Sequence, residues 1–302
     1  MKKTIVLLCS VILIIYPALS QETFTPSSEL DSLVANLVKK TQDRFRKEGL
    51  KDDQIAVVLV SLNKPTKPIY GSYQAQRPFY AASLVKLFFL RYGQELERQG
   101  KLKSTPELQS AARDMIRLSS NTATGYYVDQ VTGTKGGPVL SEKVDPVWLK
   151  KRQAVNEYYK KQGYQNINVI HKTADCPDKN LESKVLGKNQ ITAYATALVL
   201  YELLQEPANS ALLLRDLKSK SYDPDDQATA FLGKNLPEGS SYWSKAGWTD
   251  AVRHDAAKIK LPTGSEYILV VLTEGNSKLT ELIPYLGQEL VAQLAKPSPY
   301  RP

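Results

Sequence analysis

Ser83 and Lys86 stand three residues apart at the start of a helical pattern that follows Tyr80-Ala81-Ala82. Side chains at i and i+3 share one helix face. A helix N-terminus offers amide groups without intrahelical partners and a positive potential, which together favour an oxyanion nearby. An unprotonated lysine beside a hydroxyl can take its proton and turn it into a nucleophile. Spacing alone does not select Ser83, because Ser61-Leu62-Asn63-Lys64 repeats it in what reads as a turn. An N-cap serine on an ordinary core helix would give the same pattern. Two further groups carry chemistry. Ser119-Ser120-Asn121 precedes Thr122-Ala123 between two helical stretches, where capping is the plain alternative. Lys245-Ala246-Gly247 ends a late strand and is followed by Trp248. K-x-G also occurs at Lys135-Gly136-Gly137 and Lys161-Gln162-Gly163, but only the late copy precedes a hairpin partner ending in Arg253.

In this order, S-x-x-K, a serine–x–asparagine triplet and K-x-G resemble the signature of the penicillin-recognising serine enzymes. The chain is most similar to their class A β-lactamase branch, over nearly all of its length after the first twenty residues. The resemblance implies a role for each residue. Ser83 would be the nucleophile that becomes acylated, and Lys86 its general base or proton relay. Ser119 would pass a proton to the leaving nitrogen. Asn121 would bind the substrate amide and orient the lysine. Lys245 would sustain the positive field and help bind a substrate carboxylate. The oxyanion hole would be the N–H groups of Ser83 and Trp248, with Gly247 beside them. Arg253 is a candidate carboxylate ligand, with a surface arginine as its alternative.

The chain also departs from that pattern. Ser120 stands where the family has aspartate. Ala246 stands where it has threonine or serine, so a hydroxyl that meets the substrate carboxylate is gone. The interval from Ser83 to Ser119 is shorter than in class A enzymes, and that from Ser119 to Lys245 is longer. The family's glutamate motif E-x-x-L-N, which serves deacylation, is absent before the helix that starts near Thr192. The segment offers Asp175, Asp178 and Glu182 instead. Asp175 is the nearest candidate for a deacylation base, against the alternative of a solvated loop acid.

These residues need a scaffold. Leu30, Leu33, Val34, Leu37, Val38 and Phe45 predict an amphipathic helix over 27–48. The β-branched run Ile55 to Val60 predicts a strand buried on both faces, with a second strand over 68–73. Helices are predicted from Ser83, from Thr105-Pro106, over 122–131, from Asp145-Pro146 to Gly163, and over 192–204. Residues 167–170 read as a short extended piece and 175–188 as a long loop. Strands return over 242–245, 256–261 and 267–272, and Leu279 to Leu294 predicts a last amphipathic helix. This order suggests an α/β fold of the α+β sandwich type. An antiparallel sheet is built from both chain ends and flanked by helices, with an all-helical domain inserted. The expected pieces are 21–82 with 235–302 for the sheet domain, and 83–234 for the helical one.

Composition sets the outer limits. The 302 residues are 42% apolar and 24% charged, which excludes a disordered tail protein or a collagen-like rod. Two cysteines, Cys9 and Cys176, exclude a disulfide-stapled scaffold. A net charge of +9 is scattered along the chain and carries no blocky nucleic-acid tail. Lys2 and Lys3, the apolar run 5–16 and the small residues Ala18 and Ser20 predict a signal peptide over 1–20. The mature protein is expected to be periplasmic or extracellular, without a membrane span, and monomeric. His171, His254 and Cys176 lack zinc-site spacing, so no metal or other cofactor is expected. The expected activity is acyl transfer through Ser83, with weak or slow turnover of β-lactams. The alternatives are a penicillin-binding peptidase of D-Ala-D-Ala type and a non-catalytic descendant that binds wall peptides or a partner.

Overall fold

The structure is a computed structural model that describes residues 23–64, 67–136, 144–174, 181–218, 226–275 and 278–294. The expected signal peptide lies outside these residues, as do Asp175, Cys176 and Asp178. No described helix is long and apolar enough to cross a membrane.

A short strand β1 (Thr25–Pro26) leads into helix α1 (Ser28–Phe45). The Ser27 side chain caps α1 by accepting from the Leu30 N–H at 3.3 Å. Strands β2 (Ile55–Ser61), β3 (Ile69–Tyr73) and β4 (Phe79–Tyr80) follow. Ser61 is thus the last residue of a strand rather than part of a turn. Helices α2 (Val85–Arg98), α3 (Pro106–Arg117), α4 (Asn121–Thr132), α5 (Pro146–Lys161) and α6 (Leu181–Leu186) come next. Thr105 caps α3 ahead of Pro106, and Ser120 caps α4. Gly133 ends α4 in the left-handed conformation, φ 62°. Helix α6 falls inside the stretch expected to be loop.

After strand β5 (Gln190–Ile191) comes α7 (Ala193–Leu203), capped by Thr192 and almost wholly buried. Its apolar residues run all round the helix, as a helix sandwiched on every side requires. Helix α8 (Pro207–Leu213) and strand β6 (Leu214–Arg215) were not legible in the sequence. Strands β7 (Ser241–Trp248), β8 (Val252–Lys260) and β9 (Glu266–Glu274) and helix α9 (Leu282–Leu294) complete the chain.

Among the described residues the main sheet has seven strands in the order β1-β3-β2-β9-β8-β7-β6. It is antiparallel except at its edge, where β1 runs parallel to β3. β4 and β5 pair separately. The pairing of β6 with Trp243 and Tyr242 carries the sheet edge back to Leu214, ahead of the expected boundary at residue 235.

Side chains alternate between faces along a strand. Ile55, Val57 and Leu59 of β2 therefore enter one core with α1 and α9 residues such as Leu37 and Leu286. Ala56, Val58 and Val60 enter the other, with Leu87 of α2 and Leu198 of α7. An antiparallel strand usually shows alternation; this one is apolar throughout because helices cover both faces. Each fully buried Val or Ile contributes roughly 1.5–3 kcal/mol. The second core fixes α2 against the sheet, and α2 carries the lysine of the site.

Candidate active site

Ser83 lies in a single 3-10 turn, Ala82–Leu84, that runs straight into α2. Ala82 has φ 43°, a left-handed conformation that costs a non-glycine residue free energy and marks functional sites. Three contacts hold the turn. The Ala81 N–H donates to the Asn189 carbonyl at 2.9 Å, and the Leu84 N–H to the Ala81 carbonyl at 3.1 Å. On the sheet side, β7 passes so close that a Cβ on Gly247 would lie 2.7 Å from the Ser83 nitrogen.

Lys86 is fully buried in the first turn of α2. Its Nζ donates to Asn121 Oδ1 at 2.9 Å, to Ser119 Oγ at 3.2 Å and to the Ser119 carbonyl. Lys245, also fully buried, donates to the same Ser119 Oγ at 3.0 Å. Ser119 therefore bridges two lysine side chains, and it too is left-handed, φ 55°. Burial pushes the Lys245 pKa well below the ordinary lysine value, helped by the charges of Lys86 and Arg215. Residues 86, 119, 121 and 245, chosen from the sequence, thus meet from two helices, the loop between α3 and α4, and a strand, and the Ser83 backbone abuts the same strand at Gly247.

The hairpin geometry settles where the neighbouring groups point. The Thr249 N–H bonds the Val252 carbonyl at 2.9 Å, so Gly247 and His254 form the next hydrogen-bonded pair. The N–H groups of Ala246 and Trp248 then point away from β8. That of Ala246 reaches Gln227 Oε1 at 3.3 Å. That of Trp248 leaves the same strand edge, next to the glycine that abuts the Ser83 nitrogen.

Strand parity puts Arg253 elsewhere. It lies opposite Trp248, on the sheet face away from Lys245, and is 3% exposed. Its guanidinium sits 4.1 Å from the Phe231 ring centroid and donates to the Ala230 carbonyl at 3.4 Å. The structure does not bring it to the Ser83–Lys245 cluster, nor is it a surface arginine. The Trp248 ring packs on Phe231 as well, at 5.6 Å. Ala246 is fully buried in the α1–α9 core opposite Asp255, so a hydroxyl there would enter that core.

The residue opposite Gly247 is His254, buried on the Lys245 face. Its Nδ1 accepts from the Thr273 N–H at 3.0 Å, so Nε2 carries the proton and donates to the Tyr80 carbonyl at 2.8 Å. Burial lowers its pKa to about 4. This neutral ring ties the segment before Ser83 to the sheet. His171 is buried too, with Nε2 accepting from the Asn189 N–H at 3.0 Å. Among the described residues no three His, Cys, Asp or Glu side chains gather as a metal site.

The segment between Lys172 and Asn189 is closed at its neck. Asn189 Oδ1 accepts from the N–H groups of Ile170 at 2.9 Å and His171 at 3.2 Å, and its Nδ2 donates to the His171 carbonyl at 2.8 Å. Inside the loop, Glu182 Oε1 pairs with fully buried Arg152 at 3.1 Å, and Oε2 accepts from the Lys172 N–H at 2.9 Å. Arg152 also pairs with Asp129 at 3.1 Å. Burial raises the Glu182 pKa against the pull of Arg152.

Sequence reasoning missed Gln227 and Arg215. Gln227 Oε1 accepts from Lys245 Nζ at 3.0 Å. Arg215 spends its guanidinium on the carbonyls of Ile116, Arg117 and Ser244, which joins α3 to β7. Neither belongs to a motif, and only the tertiary fold brings them to the site.

The profile of the β-lactamase enzyme family matches residues 103–296, which includes Ser119, Asn121 and Lys245. Solved structures are similar in fold. A β-lactamase from Chitinophaga pinensis is 16% identical, with a TM-score of 0.62 over 86% of this chain and 100% of its own. A β-lactamase from Sphaerobacter thermophilus is 19% identical, with a TM-score of 0.59 over 88% of this chain and 99% of its own. A mutant of PBP-A, solved as an acyl-enzyme complex with penicillin G, is 15% identical, with a TM-score of 0.60 over 86% of this chain and 97% of its own. No curated protein matches the chain in sequence. With the sheet, the flanking helices and a profile that spans more than half its length, this chain belongs to the β-lactamase enzyme family.

Proposed function

We propose that the protein is an exported serine hydrolase that opens cyclic amides by acyl transfer to Ser83. The carrying observation is the Ser119 hydroxyl, held between Lys86 and Lys245, with Lys245 two residues before the Gly247 that abuts the Ser83 nitrogen. In this reading the Ser83 Oγ attacks the amide carbonyl while its proton passes to unprotonated Lys86. The tetrahedral oxyanion is held by the N–H groups of Ser83 and Trp248. As the C–N bond breaks, Ser119 gives its proton to the leaving nitrogen and is reprotonated from the lysine pair. Water then cleaves the Ser83 ester. Two positive groups close together disfavour each other's charge, which helps one lysine serve as the base.

The acyl-enzyme complex of the PBP-A mutant with penicillin G supports the acylation half of this sequence. Support for a slow penicillin-binding peptidase of D-Ala-D-Ala type comes from Glu182, whose two oxygens are engaged by Arg152 and the Lys172 N–H. Both readings share the acylation step.

Incubation with benzylpenicillin followed by intact-mass measurement tests them together. The chain should gain the mass of one penicillin, Ser83→Ala should gain none while melting near wild type, and Ser61→Ala should react as wild type. A labelled Ser83→Ala protein would sink the assignment. The absence of any adduct with unchanged penicillin would favour a binding role.

A further inference from the structure

Lys245 Nζ has three N–H donors when charged, and three protein oxygens meet it. They are Ser119 Oγ at 3.0 Å, Gln227 Oε1 at 3.0 Å and the Ala246 carbonyl at 2.6 Å. The Gln227 oxygen is fixed from several sides. It also accepts from the Ala246 N–H at 3.3 Å and from Arg215 Nη2 at 3.3 Å, while its Nε2 donates to the Arg117 carbonyl at 3.5 Å. Three donors converge on one atom, which sets the amide with oxygen toward Lys245. A carboxylate approaching Lys245 has to displace that oxygen. It must then satisfy the Ala246 N–H as well, or leave it unpaired, while Arg215 keeps its bonds to the Ile116 and Ser244 carbonyls.

We propose that Gln227 is a specificity-determining residue. It covers the Lys245 ammonium and turns the site toward acyl substrates whose group facing Lys245 is an uncharged ester or amide rather than a carboxylate. This rests on the acyl-transfer reading, because it assigns the substrate class of that same site. Three further observations point the same way. Ala246 offers no hydroxyl on the Lys245 face, and its Cβ lies in the opposite core. Arg215 is committed to backbone carbonyls, and Arg253 lies over Phe231 on the far face. Burial and neighbouring cations also weaken the hold of Lys245 on its proton, and so its pull on an anion.

The test compares benzylpenicillin with its methyl ester in a Ser83→Ala background, where no covalent step intervenes. Dissociation constants are read from the NMR shift of the Ala246 backbone amide. With Gln227 present, the acid and the ester should bind within about threefold of each other. Gln227→Ala should make the acid bind about tenfold more tightly than the ester. Gln227→Glu, which keeps the shape and adds a charge, should weaken the acid about tenfold and leave the ester unchanged. An acid preference of tenfold or more with Gln227 in place overturns the proposal. So does an acid-to-ester ratio that neither substitution moves, or an Ala246 amide that neither ligand shifts. Intact-mass labelling of wild-type Ser83 reports separately on acyl transfer, so either idea can fail alone.

Discussion

A Cβ on Gly247 would stand 2.7 Å from the backbone nitrogen of Ser83, with the Leu84 nitrogen at 3.0 Å. Both are main-chain atoms, so no flexible side chain can give way. Gly247→Ala should push the Ser83 turn off the strand edge and separate the N–H groups of Ser83 and Trp248. Misplacement of reacting groups by about 1 Å costs ~10²-fold in rate. The expected result is an acylation rate lower by about that factor, read by intact mass. Overpacking should also cost about 1–3 kcal/mol of stability, read by urea unfolding. Wild-type acylation in this variant would mean that β7 does not set the position of Ser83.

Adjacent residues on β8 give opposite pH dependences. Burial lowers the His254 pKa to about 4 from 6.5, so its stability contribution is present above 6.5 and lost as pH falls toward 4. Burial raises the Asp255 pKa to about 6 from 3.8, so its contribution is full below 3.8 and lost as pH rises through 6. Each shift corresponds to about 3 kcal/mol. The two oppose each other over the same window. Asp255→Asn keeps an acceptor for the Tyr242 hydroxyl and the Leu232 N–H but removes the titration. Its stability relative to wild type should therefore rise by about 3 kcal/mol between pH 4 and pH 7. Urea unfolding at the two pH values measures it. A difference that stays flat would mean that Asp255 titrates in the folded protein as it does in the unfolded chain.

The longer helices and the longer strands were legible because their apolar residues repeat with the right period, as in α1 and β2. Five candidate residues, Ser83, Lys86, Ser119, Asn121 and Lys245, could be singled out because helix starts and a strand end are local features. Other features depend on distant pairing. The face that Arg253 occupies is set by the hairpin at Asp250-Ala251, and a shift of one residue reverses the face. His254 stood out in sequence only as a histidine, and its link to Tyr80 spans 174 positions. Gln227 sits in a polar stretch without periodicity, and only the folded chain sets it against Lys245. Helices α6 and α8 are too short for a periodic signal.

Asn189 closes the neck of the loop and also receives the Ala81 N–H. Asn189→Ala would leave the N–H groups of Ile170 and His171 and the His171 carbonyl without their partner. An unsatisfied buried polar group costs about 1–3 kcal/mol. The variant should lose about 3 kcal/mol in urea unfolding, allowing for water that enters. Asn189→Asp keeps the acceptor and should lose less. If both lose the same amount, the bond from Nδ2 to the His171 carbonyl is what holds the neck.

Acylation should outrun deacylation. Forming the ester needs a hydroxyl, a base and an oxyanion site, and in the proposed reading Ser83, Lys86 and the N–H groups of Ser83 and Trp248 supply them. Breaking it needs a second activated water held by a carboxylate, and loss of a positioned base costs ~10²–10⁴-fold. Glu182 is the candidate loop acid with a described position, and it is held by Arg152 and the Lys172 N–H. A carboxylate held on both oxygens by the scaffold is poorly placed to accept a proton from water. The penicilloyl adduct should therefore persist for minutes or longer by mass. Glu182→Gln should leave its decay within about threefold while costing about 1–3 kcal/mol of stability, since Arg152 keeps Asp129. Rapid turnover without an adduct would refute slow deacylation. A Glu182→Gln adduct that outlives the wild-type one would make Glu182 the base. If turnover is rapid and Glu182→Gln leaves it intact, Asp175→Asn and then Asp178→Asn become the variants that identify the base. An aspartate is one methylene shorter than a glutamate, so either could act only if the loop backbone lies closer to the ester.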